Sequence, residues 1–116
     1  MKIIATFIII NTLAINSYAF ASSQKYFDEA LSSYNEGKMD EATFLFEKSA
    51  VFNPKNSDTY VYLGYLNKEL KNLDKANHYF MIALTLQPDN LELNYFVGEY
   101  FTKIMIKIAI INMSVI

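Results

Sequence analysis

The chain contains no cysteine. That excludes disulfides, thiolate metal sites, a cysteine nucleophile and lipidation at a processed N-terminal cysteine. It contains no arginine either: its ten cations are all lysines, against twelve acids. Non-specific nucleic-acid binding leans on a basic face. No such face is readable here, so no nucleic-acid partner is expected. Histidine occurs once, as His78, with no second metal ligand near it in sequence. The chain has no Gly-rich phosphate loop, no H-E-x-x-H and no G-x-S-x-G. Two acidic pairs stand out, Asp28-Glu29 and Asp40-Glu41. The second opens a helical pattern, where negative charge offsets the positive end of the helix dipole. No catalytic residue, metal or cofactor is expected, and the chain reads as a non-enzyme.

What is present begins with an apolar N-terminus. Lys2 is followed by a run from Ile3 to Leu13 interrupted only by Thr6, Asn11 and Thr12. Asn16, Ser17 and Tyr18 follow, then Ala19-Phe20-Ala21. Small side chains at the −3 and −1 positions fit a signal-peptidase site, so residues 1–21 read as a signal peptide cleaved after Ala21. An uncleaved inner-membrane anchor over residues 3–21 is the alternative. Export, with the bacterial periplasm as destination, is the expected localisation. The membrane enters only through this segment.

The rest of the chain repeats itself with a period of 34 residues. Pro54 recurs as Pro88, Tyr26 as Tyr60, and Ala30 as Gly64 and again as Gly98. Asp40 and Ala42 recur as Asp74 and Ala76, Phe46 as Phe80, Ser49 as Ala83, and Asn56 as Asn90. Each unit holds two helical patterns. Tyr60, Leu63, Gly64 and Asn67 share one helix face. After Asn72, a plausible N-cap, Leu73, Ala76, Phe80, Ala83 and Leu84 share another. Pro88 stops the second helix. Ser57 and Asn90 offer caps for the helices that follow. Gly37 marks the turn of the first unit, where left-handed backbone angles are common.

These residues resemble the tetratricopeptide repeat (TPR) family. Tyr60, Leu63-Gly64, Ala76, Phe80, Ala83 and Pro88 stand where that family has its aromatic, small and proline positions. Tyr26, Ala30, Gly37, Ala42, Phe46 and Pro54 do so in the first unit, which departs at Glu29 and Ser49. A polar face at these two positions suits a first helix exposed to solvent on its outer side. The resemblance implies an all-α fold of tandem antiparallel helix-turn-helix hairpins, a right-handed α-solenoid. Its repeats run over residues 23–56 and 57–90, with the first helix of an incomplete third over 91–103. Gly64, Ala30 and Gly98 are expected to allow close helix approach within hairpins.

The third unit then loses the pattern. Ile110 and Ser114 stand where a small residue and an aromatic are due, and no acid follows Glu99. The segment 104–116 is an apolar tail. As a helix it would carry Ile104, Ile108, Ile111 and Val115 in a stripe able to cover the end of the stack. As a strand it would alternate and be sticky. It reads as out of register, as a frameshift in a longer repeat gene would leave it; a helix packed on the second unit is the alternative.

The resemblance also implies where a partner sits. First helices line a concave groove in this family. Here it would present Phe27, Leu31, Tyr34 and Asn35, then Val61, Tyr65, Lys68 and Glu69, then Tyr95, Glu99 and Thr102. Phe27, Leu31 and Val61 replace the Lys and Asn of chaperone-tail clamps, so an apolar or amphipathic peptide or helix is the expected ligand. The chain is thus expected to be an exported interaction module, an adaptor or scaffold. The alternative is a remnant of a longer TPR protein whose missing part carried an enzymatic domain. Self-association through the exposed C-terminal end is a further possibility for its partner.

Overall fold

The computed structural model describes residues 1–115. Five helices follow one another: α1 (Lys2–Asn35), α2 (Met39–Phe52), α3 (Ser57–Glu69), α4 (Leu73–Leu86) and α5 (Leu91–Ser114). Among the described residues there is no strand, and the all-α hairpin-repeat fold is the observed one. The chain divides into two compact units, Met1–Thr59 and Tyr60–Ile116.

The 34-residue period is written into the backbone. At the end of α1, Glu36 N–H donates to Ser32 O, Gly37 N–H to Tyr34 O and Lys38 N–H to Ser33 O. At the end of α3, the donors are Leu70, Lys71 and Asn72, and the acceptors Leu66, Lys68 and Asn67, each 34 residues further on. The second helices end alike, with Asn53 N–H on Ser49 O and Gln87 N–H on Ala83 O. Both first-helix turns need a left-handed residue. The first uses Gly37 at φ 77°, the second Lys71 at φ 62°. For a side chain that angle is strained.

Caps follow the same logic. Asn72 Oδ1 accepts from Lys75 N–H at 3.4 Å and Asn90 Oδ1 from Leu93 N–H at 3.1 Å. Ser57 is the first residue of α3, and the acceptor before it is Asn56, whose Oδ1 takes the Asp58 N–H at 3.1 Å. The expected Ser57 cap therefore moves back one residue, onto the asparagine that aligns with Asn90.

In the first unit α1 packs on α2 over only part of its length. Residues 1–18 are exposed throughout, and burial begins at Ala19 and reaches Ser23. An 18-residue window of α1 has mean hydropathy 1.7 and none of it is buried, so this helix is long and apolar enough to cross a membrane. Signal sequences and anchors share that property. Beyond it, Ala30, Ala42 and Phe46 are fully buried. Phe27 meets Phe46 edge to face at 5.5 Å, and Tyr26 stacks on Phe52 at 5.6 Å.

Ser49 corrects the sequence reading. It is not on a solvent face but is 0% exposed. Its hydroxyl donates to Ser23 O at 2.9 Å, and the Ser23 hydroxyl donates to Ser49 O at 3.0 Å. Two serines replace an apolar contact with a reciprocal clasp, which leaves neither hydroxyl unsatisfied. Glu29 does face solvent, 4.0 Å from Lys25.

In the second unit Ala76, Phe80, Ala83 and Leu93 form the core, with Tyr60, Val61, Tyr65, Leu84, Phe96 and Val97 packed on it. A Cβ on Gly64 would overlap the Phe80 ring, so the glycine is what lets α3 and α4 close.

Gly98 corrects a second expectation. A Cβ there would meet nothing within 4 Å, so it mediates no close approach. The physical reason is that α5 runs straight on to Ser114 instead of turning back. The apolar tail is helix, not strand. It also does not cover the stack: Ile108, Ile111 and Val115 stay exposed, and of the expected stripe only Ile104 is partly buried.

Candidate functional site

The residues expected to face a partner fall into both units. In the first, Phe27, Leu31 and Tyr34 lie on the packed part of α1 and are half-buried, and Asn35 is exposed. Phe27 leans its ring on the Phe46 core, so much of it belongs to the hairpin interior.

In the second unit three of the expected residues converge on one ring, Phe96. Tyr65 meets it edge to face at 6.0 Å, and Tyr95 lies 5.9 Å from it. Lys68 Nζ sits 4.3 Å above its centroid, within cation–π range. Phe80 stacks on the same ring from the core side at 5.0 Å. Tyr65 is further held by Phe80 at 5.7 Å, and its hydroxyl donates to Glu92 Oε1 at 2.7 Å. Tyr65 therefore ties α3 to α5. Val61 turns into the core. Tyr95 is open to solvent, at 64% exposure. Glu99 and Lys103 pair along α5 at 3.0 Å, while Glu69 and Thr102 are exposed.

Phe96 is the hub, and the 34-residue period does not single it out. A period finds which residues share a face. It does not find the one ring that four others choose.

Beside this cluster α4 and α5 leave a hollow of about 50 Å³. Lys68, Phe80, Phe96, Tyr100 and Lys103 line it, together with Asn77. Asn77 is buried, its Nδ2 donates to Met81 Sδ at 3.4 Å, and its Oδ1 has no partner. The volume takes a water or two, which makes it a packing gap and not a small-molecule pocket. Tyr100 closes one end with a 2.6 Å hydrogen bond to Asp74 Oδ1, which raises its phenol pKa above the ordinary 10.0.

The residues set aside as chemistry stay apart. His78 is exposed on α4 with its ring beside Tyr79 at 5.8 Å. Asp40 and Glu41 lie in the first turn of α2. Among the described residues, no three His, Cys, Asp or Glu are grouped so as to hold a metal ion.

No family model matches the chain, and no curated protein matches it. Solved structures do. A crystal structure of MamA superposes with TM-score 0.66 at 16% identity, over 71% of this chain and 48% of MamA. The chain thus spans about half the length of that protein. The first TPR of Spaghetti (RPAP3), bound to the HSP90 peptide SRMEEVD, matches at 13% identity and TM-score 0.48, over 74% of this chain and 95% of that one. The likeness to MamA is one of fold. The class it defines is the helical-hairpin repeat of tetratricopeptide type.

Proposed function

We propose that this chain is an exported protein-interaction module that takes an apolar or amphipathic peptide or helix against the first helices of its hairpins. The observation that carries the reading is the Phe96 cluster. Tyr95 stands open beside it, and Lys68 caps the ring face with a charge. Aromatic rings backed by a rigid core, with a cation at the edge, are what anchors on a partner helix need. On the first unit, half-buried Phe27, Leu31 and Tyr34 are the proposed contact residues in their own right.

The variants that test it must be open residues. Phe27 and Tyr65 lean on Phe46 and on Phe80 and Phe96, so charging them would disturb packing as well as binding. Tyr95→Lys and Lys68→Glu leave the Tyr65–Phe80–Phe96 stack in place and give up only the Tyr95 edge contact and the Lys68 cation–π contact on Phe96. Peptides selected from an amphipathic library on the native chain are expected to lose at least tenfold in affinity on Tyr95→Lys. Unchanged affinity in both variants would overturn the assignment.

The export part rests on α1. Residues 1–18 are exposed throughout and burial is reached at Ser23, so the proposed cleavage after Ala21 falls where the exposed portion gives way to the packed one. Mass spectrometry of the chain made in a bacterial host should find Ser22 as the N-terminus in the periplasm. An intact Met1 on membrane-bound chain would instead establish an anchor.

A further inference from the structure

The −3 and −1 positions of a signal-peptidase site are read on an extended chain, where side chains two apart point the same way. Ala19 and Ala21 do not point the same way here. Helix α1 is continuous from Lys2 to Asn35, and two steps along a helix turn a side chain by about 200°. Ala19 is accordingly half-buried and Ala21 exposed. For both to enter the peptidase, residues 19–23 must leave the helix and lengthen from ~6 Å to ~13 Å.

Contacts with α2 oppose that change on both sides of Ala21. Tyr18 meets Phe52 edge to face at 6.5 Å, and Tyr26 stacks on the same ring at 5.6 Å. Between them Ser23, itself buried, exchanges hydroxyl bonds with Ser49, their side-chain oxygens 3.1 Å apart. Each hydroxyl donates to the other residue's backbone carbonyl. Moving the backbone at Ser23 therefore breaks the clasp. The repeat does not require this clasp: the 34-residue period puts Ser57 and Ala83 in its place, and alanine has no hydroxyl to return.

We propose that the packing of α1 on α2 decides whether the Ala21–Ser22 bond is cut. The inference rests on the export reading above and adds its control. Hydrolysis adds water across that amide, leaving a carboxylate on Ala21 and the amino group on Ser22. The peptidase acts on chain that has not yet closed the first hairpin. Once Ser23 and Ser49 have clasped, the site is held in helix and is cut only through its open fraction. Each chain therefore meets one of two fates. Cut before closure, it is released. Closed first, it stays on the membrane through the exposed apolar part of α1. The stability of the first hairpin sets the ratio of the two.

The test leaves residues 1–22 unaltered. The chain has no cysteine, so Ser23→Cys combined with Ser49→Cys gives a full-length chain whose clasp is closed as a disulfide and reopened by reductant. Cleavage is followed by mass spectrometry in non-ionic detergent micelles with a bacterial signal peptidase. The reduced form is expected to yield chain starting at Ser22 at least tenfold faster than the oxidised form. Phe52→Ala removes both tyrosine contacts and should be cut at least tenfold faster than the native chain. Equal cleavage of the oxidised and reduced forms, or of the native chain and Phe52→Ala, overturns the lock and leaves the export reading standing. No cleavage of any form, Phe52→Ala included, overturns both.

Discussion

Gly64 and Gly98 hold the same place in successive hairpins and meet opposite surroundings. At Gly64 the next helix folds back and its Phe80 ring occupies the space a methyl would need. At Gly98 nothing lies within 4 Å, because the next segment continues α5. The residue is the same and the local helix is the same. What differs is the residue 16 positions on: Phe80 after Gly64, Ser114 after Gly98. Closure of a hairpin is decided by the ring that fills the notch, not by the notch.

Phe80 carries the largest expected effect. Phe80→Ala removes the filler and the stack on Phe96 together, and should cost ~3–5 kcal/mol in urea unfolding. Gly64→Ala forces the ring aside and should cost ~1–3 kcal/mol. Gly98→Ala, made in the same way, should gain ~1 kcal/mol, because alanine is the better helix residue and no neighbour objects. Equal losses at both glycines would mean that the third hairpin is closed.

Smaller effects sharpen the same contrast. Gly37 and Lys71 hold left-handed angles at equivalent turns, and only one is a glycine. Lys71→Gly should therefore stabilise the second unit by ~0.5–1 kcal/mol. The least effect is at Tyr100. Its hydroxyl donates to Asp74, which holds the phenol pKa above 10.0. The neutral form is the one favoured by the fold. Its contribution is complete at neutral pH and is lost as pH climbs through the raised pKa. In an ultraviolet titration Tyr100→Phe should remove a tyrosine from the late part of the curve.

The hairpins were legible because a period of 34 brings proline, small and aromatic residues back together, and each has one structural use. The cap at Asn56 was legible in principle, since it aligns with Asn90; Ser57 beside it was the misleading neighbour. Ser49 was not legible. A serine reads as exposed until its partner is known, and Ser23 lies 26 residues away on another helix. The tail was ambiguous for a physical reason. Residues 104–115 hold only Lys107, Asn112 and Ser114 among apolar residues, too few polar positions for a helical or a strand period to stand out. Gly98 misled because a small residue signals room for a helix without showing that one arrives. At the proposed binding surface, the sequence named Tyr65, Lys68 and Tyr95 but not the Phe96 ring that unites them.

The continuity of α5 underlies the open notch at Gly98, and it can be measured as one distance. Spin labels on Leu91→Cys and Asn112→Cys in a single chain, diluted with unlabelled chain, report only the separation within one copy. A continuous helix predicts ~31 Å between the two backbones, from a rise of about 1.5 Å per residue. A third hairpin folded back on Gly98 would bring them within ~15 Å, near the spacing of packed helices, and would contradict the account.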